Sequence, residues 1–288
     1  MNDPGIADAT GMGLPRPRVR LDLSIRKIIT SRAVLVWMGR LAIIVGFIGL
    51  WEYSADRWVD SFWVSRPTDV GKWIYDRFAD GTLPKDIKVT MKETLLGFTY
   101  GAIGGLILGI VLSRFKLLAD ILDPFIVAIN GIPRTALAPL LVVWFGIGIK
   151  SKIVLVVSLV LFLVFFNTYA GLRSVPREYV QTARSFGAKG WQIMWKVSLP
   201  SASPWIFTSL KLAIPYGLVG AIVGEFIASS AGLGYLVALQ ANLYNAEGAI
   251  GVLVVLAAIV MILNFVLEFV ERRLLRWRPD DVISSTRL

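Results

Sequence analysis

The sequence has 288 residues, of which 56% are hydrophobic, and it carries a formal net charge of +10 with no cysteine and no histidine. These counts exclude disulfide bonds, thiol or imidazole catalysis, and metal sites built from cysteine or histidine. The hydrophobic residues are gathered into runs of about 20, the length that crosses a bilayer core. The composition therefore predicts an all-α polytopic membrane protein. The positive charge is typical of the cytoplasmic side of such a protein, so lipid is the expected partner and nucleic acid is not.

Six membrane-spanning helices are predicted, and they make up the middle one of three parts of the chain. The first 33 residues are polar and basic and predict a cytoplasmic segment beside the lipid headgroups. The transmembrane domain is predicted at 34–272, followed by a cytoplasmic tail at 273–288. The predicted spans cover residues 33–50, 89–113, 117–145, 153–172, 203–228 and 249–269. The connection at 51–88 is rich in aromatic residues and suits an interfacial belt or a short surface helix.

Small residues recur every four positions in two of the spans and predict ridges along which another helix packs closely. The ridge of the second span consists of Gly97, Gly101, Gly105 and Gly109. The ridge of the fifth span consists of Gly220, Gly224, Ala228 and Gly232. Tight packing is the favoured interpretation of the first ridge.

Four polar side chains inside the spans are candidates for the path of a solute, because such groups are costly in lipid and are functional candidates by default. They are Asn130, Arg134, Asn167 and Glu225. Arg134 follows one of three prolines expected to kink the third span, and it would either attract an anion in a wet cavity or pair with an internal carboxylate. Asn130 and Asn167 would alternatively bond helices together. Glu225 either lines the path or bonds to a neighbouring helix, and no acidic partner is expected for it among the spans.

The longest polar break in the second half of the chain is residues 176–200, PREYVQTARSFGAKGWQIMWKVSLP. Its apolar side chains recur at helical spacing, with basic and amide side chains on the other face. Gly187 suits the left-handed position that ends a helix, and Pro200 is expected to end a second one. The stretch predicts two short amphipathic helices joined by a glycine turn at a membrane surface.

Lysine and arginine are unevenly distributed between the two sides that six spans define. They are concentrated in the N-terminal segment, the 114–120 turn, the 172–202 loop and the tail. Fewer occur in the 51–88, 147–152 and 229–247 connections. Because cytoplasmic loops carry the excess of these residues, both termini and the 176–200 segment are expected in the cytoplasm.

The spacing within residues 176–200 resembles the loop with which permeases of ABC transporters dock into their ATPase subunits. The family pattern is E-A-A, three residues, glycine, nine residues, I-x-L-P. It is matched here by Gln181-Thr182-Ala183, Gly187 and Val197-Ser198-Leu199-Pro200, with different residues from the commonest ones at 181, 182 and 197. An ordinary amphipathic interfacial loop is the alternative. The resemblance implies ATPase contacts by Tyr179, Gln181, Thr182, Ala183, Phe186, Gly187, Ala188, Leu199 and Pro200.

From about residue 90 to 240 the chain also resembles the permeases of nitrate, sulfonate and taurine importers. The resemblance is carried by Asp123-Pro124, Ile132-Pro133, Ala138-Pro139-Leu140, Trp144-Phe145-Gly146-Ile147-Gly148, Asn167-Thr168, Gly171-Leu172, Glu225-Phe226 and Gly232-Leu233-Gly234. It implies a type I importer permease fold in the bacterial inner membrane. It also implies a second permease subunit in a homodimer, two ABC ATPase subunits and an external solute-binding protein. The implied solute is a small anion such as nitrate, a sulfonate or taurine, although relatives that carry vitamin precursors share these motifs.

Two other functions remain as alternatives to a permease subunit that is not itself an enzyme. The sequence holds no nucleotide-binding loop, so an ATP-driven importer would bind ATP and Mg on a partner chain and none in this one. A stand-alone secondary transporter or channel would need no polar docking loop, and internal inverted repeats would favour it; no clear repeat is present. An intramembrane enzyme would need histidine, cysteine or paired carboxylates at one depth. The favoured interpretation is an ABC importer permease that works by alternating access.

Overall fold

The computed structural model describes residues 23–55, 57–58 and 63–275, with side chains described from residue 34 onward. Much of the predicted N-terminal segment, part of the 51–88 connection and nearly all of the predicted tail therefore lie outside the described residues. The described backbone is helical apart from turns and short connections, as the composition predicts.

The helices of the described residues are as follows, in chain order. They are α1 (Leu23–Ser54), α2 (Pro67–Ala79), α3 (Thr82–Arg114), α4 (Lys116–Gly131), a 3₁₀ turn (Arg134–Leu137), α5 (Ala138–Phe145), α6 (Ile149–Arg173), α7 (Arg177–Ser185), α8 (Gly190–Ile193), a π-helical turn (Met194–Ser198), α9 (Leu199–Ile227), α10 (Leu233–Asn242) and α11 (Ala246–Leu274).

Within the described ranges, five helices are long and apolar enough to cross a bilayer. They are Val34–Ser54, Thr82–Arg114, Ile149–Arg173, Gly190–Ile227 and Ala246–Leu274. Lys116–Gly131 and Arg134–Phe145 meet the same criteria as a pair bent by 75°, which brings the candidate spans to six when the pair is counted as one broken span. The six-span fold expected from the hydrophobic runs is thus confirmed.

The chain divides into two compact units, with α1 in the first and the remaining helices in the second. The apolar side chains of α1 from Val34 to Leu50 are exposed, which suits a helix surrounded by lipid. The guanidinium of Arg40 lies over the ring of Trp37, 5.3 Å from its centroid.

The second unit is built on the close packing of α3 against α6, and the predicted glycine ridge on α3 is the surface that makes it close. A Cβ added at Gly101 would lie 2.9 Å from the Cβ of Val160, and one at Gly109 would lie 2.8 Å from the Cβ of Thr168. Val160 and Thr168 are fully buried. The interpretation of this ridge as a packing surface is confirmed.

α9 also packs against α6, in part on residues that meet α3, but the second predicted ridge is only half right. A Cβ at Gly220 would lie 2.8 Å from Cδ1 of Leu159, so this glycine does permit close contact. Ala228 and Gly232 cannot continue the ridge, because α9 ends at Ile227 and both lie in the following connection. The reason is local: Gly232 has φ +111°, a conformation outside the helical region.

Only one of the three prolines in the third span breaks it. Pro124 lies inside α4, which continues through it, and Pro139 occupies the first turn of α5, where a missing N–H costs nothing. Pro133 lies in the gap between the two bent segments. The expected kink is therefore concentrated at Pro133.

Two short helices, α2 and α10, each pack against the starts of α3 and α11. Trp73 of α2 lies in one apolar cluster with Leu83, Leu233 and Val252. The sequence allowed for a surface helix in the region of α2 but gave no indication of α10.

A substitution at the α3–α6 contact should be costly. We expect Gly105→Ala to lower the melting temperature, because its Cβ would lie 2.9 Å from the backbone nitrogen of Phe165 and closer still to the carbonyl oxygen of Leu161. Backbone atoms cannot rotate away, and such overpacking costs about 1–3 kcal/mol. The control is Gly104→Ala, whose Cβ would meet only the flexible end of Leu161 at 3.2 Å. Equal melting temperatures for the two purified variants would contradict this packing.

Candidate functional site

The predicted helix–turn–helix at 176–200 begins with α7 and a glycine turn of defined geometry. The N–H of Gly187 donates to the carbonyl of Arg184 at 2.8 Å, and that of Ala188 donates to the carbonyl of Ala183 at 3.0 Å. This pair of bonds is the Schellman motif, which satisfies carbonyls left over at a helix end. Gly187 has φ +77°, a left-handed conformation that strongly favours glycine. The predicted role of Gly187 in the turn is therefore matched by its backbone.

The side chains of this segment that the resemblance singled out are largely on the surface. Tyr179, Gln181 and Thr182 are exposed on α7, and Ala183 is half-buried. The ring of Phe186, just before the glycine turn, is 86% exposed. The turn therefore presents an apolar side chain at the end of a polar helix.

The second half of the segment differs from the prediction, because Pro200 does not end a helix. Leu199 and Pro200 form the first turn of α9, and α8, the π-helical turn and α9 run on as one continuous helix from Gly190 to Ile227. The π-helical turn explains this, since the N–H of Leu199 bonds to the carbonyl of Met194, five residues back. The wider turn leaves room for the proline ring.

The first residues of this long helix are held by a cap and by a contact with α3. The Oε1 of Gln192 accepts the N–H of Lys189 at 2.7 Å, which caps α8. A Cβ at Gly190 would lie 3.1 Å from Nη2 of Arg114, so the last residue of α3 reaches the segment. We call residues 176–200 the coupling segment.

Two of the four candidate path residues are brought together at the break in the third span. Nη2 of Arg134 donates to Oδ1 of Asn130 at 2.6 Å. The guanidinium also lies 4.3 Å from the ring centroid of Phe162 on α6. Among the described residues no carboxylate lies within salt-bridge distance of Arg134. An oriented positive charge without a charged partner thus lies within a membrane span.

The third candidate, Asn167, bonds within its own helix. Its Nδ2 donates to the carbonyl of Leu163 at 2.8 Å, and the residue is half-buried. Within the described part of the chain this amide makes no hydrogen bond to another helix or to Arg134, so its bond offers no direct support for a place in the path.

The fourth candidate, Glu225, lies in a buried cluster of charged groups, and it does have an acidic neighbour. Glu93 on α3 and Lys152 on α6 complete the cluster, with 3.3 Å between Nζ of Lys152 and Oε1 of Glu93. Glu225 and Glu93 are each only 1% exposed, and Lys152 is 4% exposed. Nζ of Lys152 also donates to Oγ of Ser229 at 2.9 Å.

The expectation that Glu225 lacks an acidic partner was wrong because the span of Glu93 was placed too late. Glu93 was expected near the start of a span at residue 89, whereas α3 begins at Thr82. Glu93 is therefore three turns inside the helix, at the level of Lys152. On α6, Lys152 is ten residues from Phe162, so this cluster and Arg134 are separated by about 15 Å along the helix.

A second ion pair was missed by sequence reasoning. Lys211 on α9 forms an ion pair with Glu271 on α11. The sequence pattern gave no signal for this pair, because α11 carries several other charged residues near Glu271.

The protein family that matches this chain is described as binding-protein-dependent transport system inner membrane components, and the match covers residues 101–278. The chain is 35% identical to the riboflavin transport system permease protein RibX of Chloroflexus aurantiacus, over 76% of this chain and 82% of that protein. It is 29% identical to the taurine transport system permease protein TauC of Escherichia coli, over 87% of this chain and 92% of that protein.

The fold is also similar to a solved structure. A chain of the MetNI methionine ABC transporter, in an inward-facing conformation, superposes with a TM-score of 0.57 at 22% identity. The superposition covers 71% of this chain and 95% of that one. The expected type I importer permease fold is confirmed.

The buried cluster should respond to the removal of its cation. We expect Lys152→Met to lower the melting temperature strongly, since breaking a buried ion pair by removing one partner costs about 3–5 kcal/mol. Adding Glu93→Gln in the same chain should recover part of the loss, because the stranded carboxylate is then gone. Lys150→Met, at an exposed lysine two residues away, is the control. Strictly additive melting-temperature shifts for the two cluster substitutions would contradict the pairing.

Proposed function

Because the chain belongs to the family of binding-protein-dependent transport system inner membrane components, as an ABC permease of the nitrate, sulfonate and taurine type, we propose that ATPase subunits grip its coupling segment and thereby drive a small anion across the bilayer. The chain is a multi-pass membrane permease subunit of an ABC importer. Members of this family are permease components and are generally not catalytic by themselves. Membership implies an ATPase and a substrate-binding protein as partners.

The coupling segment carries the proposal. It is a polar, exposed helix closed by a rigid glycine turn, and it stands between two membrane spans. Its exposed Phe186 offers an apolar contact for a groove on a partner, with the polar side chains of α7 around it. In the proposed assembly the ATPases bind ATP and Mg. The contact residues are Tyr179, Gln181, Thr182, Ala183, Phe186, Gly187, Ala188, Leu199 and Pro200.

The proposed orientation puts this segment and both termini in the cytoplasm of a bacterium. The distribution of lysine and arginine supports it, because short cytoplasmic loops carry the excess of these residues. Two copies of the chain, side by side, are proposed to enclose the path, which opens alternately to each side as the ATPases close and separate. The exposed apolar side chains of α4 and α5, such as Phe125 and Val143, are compatible with a neighbouring helix or lipid.

The turn at Gly187 provides the test of coupling. We expect Gly187→Val to uncouple ATP hydrolysis from uptake in proteoliposomes that contain the full complex, because a β-branched residue cannot adopt φ +77° without strain. The matched control is Gly187→Asn, since asparagine tolerates this conformation and should retain coupled uptake. Normal coupled uptake by Gly187→Val would contradict the proposed role of the segment.

The proposed solute is a small anion, and Arg134 is the residue that supports this choice. Its guanidinium is held by Asn130 and Phe162 at the bend of the third span and has several N–H groups left for a ligand. A positive group fixed in this way suits the oxygens of nitrate or a sulfonate. The two relatives are named for taurine, which carries a sulfonate group, and for riboflavin, which carries none.

Uptake measurements on the full complex distinguish these solutes. We expect the complex to import nitrate, taurine or an alkanesulfonate, and Arg134→Gln to lower that uptake about tenfold, the scale of one lost charged hydrogen bond. Arg134→Lys keeps the charge without the planar fork and should lose less. Import of riboflavin alone, or undiminished anion uptake by Arg134→Gln, would contradict an anion site at Arg134.

A further inference from the structure

The motif Glu225-Phe226 with Gly232-Leu233-Gly234 is not explained by the coupling segment or by Arg134. It surrounds the start of α10, whose first amide groups have no helical acceptor of their own. Each of three successive amides bonds to a side chain from another helix. The N–H of Gly232 donates to Oδ1 of Asp86 at 2.8 Å, that of Leu233 to Oγ1 of Thr90 at 2.7 Å, and that of Gly234 to Oε2 of Glu225 at 2.5 Å.

Thr90 joins two of these contacts. Its hydroxyl accepts the N–H of Leu233 and donates to Oε1 of Glu225 at 2.7 Å. Thr90 and Leu233 are fully buried, and Glu225 is 1% exposed. A buried network in which each member is satisfied holds its parts in a defined position, since any displacement leaves polar groups unpaired. We call Asp86, Thr90 and Glu225 the latch.

The glycines of the motif follow from this geometry. A Cβ at Gly232 would overlap the carboxyl group of Glu225, and φ +111° disfavours any other residue there. A Cβ at Gly234 would lie 2.7 Å from the carbonyl oxygen of Ile222. The start of α10 can therefore approach α9 only because both positions lack side chains.

The connection before α10 is also bonded to α6. Nζ of Lys152 donates to Oγ of Ser229, which in turn donates to the carbonyl of Ala231 at 2.6 Å. Lys152 belongs to α6, while the latch residues belong to α3 and α9. The start of α10 is thus tied to the three helices that pack most closely in the second unit.

We propose that the latch is a positioning device for transport: it fixes α10 to the α3, α6 and α9 core, so that α10 moves with the coupling segment at the other end of α9. The proposal rests on the proposed function, which supplies the movement of the coupling segment. Its physical basis is the continuous helix from Gly190 to Ile227, which carries the end of the coupling segment at one end and Glu225 near the other. Removing the latch should leave the helices in place and free α10 from them.

The test uses a pair of substitutions at Thr90 that differ only in a hydroxyl group. Thr90→Val keeps the shape of the side chain and removes the hydroxyl, whereas Thr90→Ser keeps the hydroxyl. In the full complex in nanodiscs without nucleotide, we expect amide hydrogen exchange across residues 228–242 to be about tenfold faster in Thr90→Val. Thr90→Ser should exchange like the parent.

A second readout follows the movement itself. The chain has no native cysteine, so Leu243→Cys, at an exposed position just after α10, gives a single labelling site. We expect trapping of the complex with ATP, Mg and vanadate to change its rate of reaction with a membrane-impermeant maleimide. Thr90→Val should abolish that change and Thr90→Ser should keep it. A purely structural role of Thr90 would not affect this response to nucleotide.

Two results with Thr90→Val would contradict the proposal. Parent-like exchange in Thr90→Val would overturn the latch, and a parent-like response to vanadate in that variant would overturn its role in transmission. Asp86→Ala compared with Asp86→Asn, which keeps an oxygen acceptor, gives the same comparison if Thr90→Val does not fold. Coupled uptake by Gly187→Val would contradict the proposed function. It would leave the latch untouched, because the hydrogen-exchange measurement is made without nucleotide.

Discussion

The close approach of α3 and α9 to α6 and to each other is the constraint on which the second unit depends. Glycines on α3 and α9 meet side chains of α6 at short distances, as Gly101 does with Val160 and Gly220 with Leu159. In a bilayer, lipid tails are as apolar as the helices, so this dense packing supplies attraction that the hydrophobic effect does not. The three helices therefore form the rigid part of the molecule.

The elements that connect to α3, α6 and α9 explain where the candidate sites lie. α7 follows α6, and α8 is the beginning of the continuous helix that becomes α9, so the coupling segment joins two members of the core. That helix has 38 residues and is about 57 Å long, well beyond the roughly 30 Å of a bilayer core. Glu225 and the start of α10 lie at its far end. Arg134 is held against α6 between these two levels.

The sequence was sufficient for features that depend on local pattern. Hydrophobic runs predicted six spans, the ridge from Gly97 predicted a packing surface, and Gly187 was expected at a helix-ending turn. It was insufficient where backbone geometry or distant contacts decide. Pro200 continues a helix because a π-helical turn precedes it, and Glu93 meets Lys152 and Glu225 through three different helices. α10 was missed because its start is stabilised by side chains of α3 and α9 rather than by its own sequence.

The central claim is that one continuous helix joins a cytoplasmic coupling segment to a latch on the opposite side of the membrane. Sidedness of labelling tests it most directly, because the chain has no native cysteine and both Phe186 and Ser230 are exposed. Single variants Phe186→Cys and Ser230→Cys would be treated with a membrane-impermeant maleimide in sealed vesicles of each orientation. The account predicts that Phe186→Cys reacts only in inside-out vesicles and Ser230→Cys only in right-side-out vesicles. Reaction of both cysteines from the same side would contradict it.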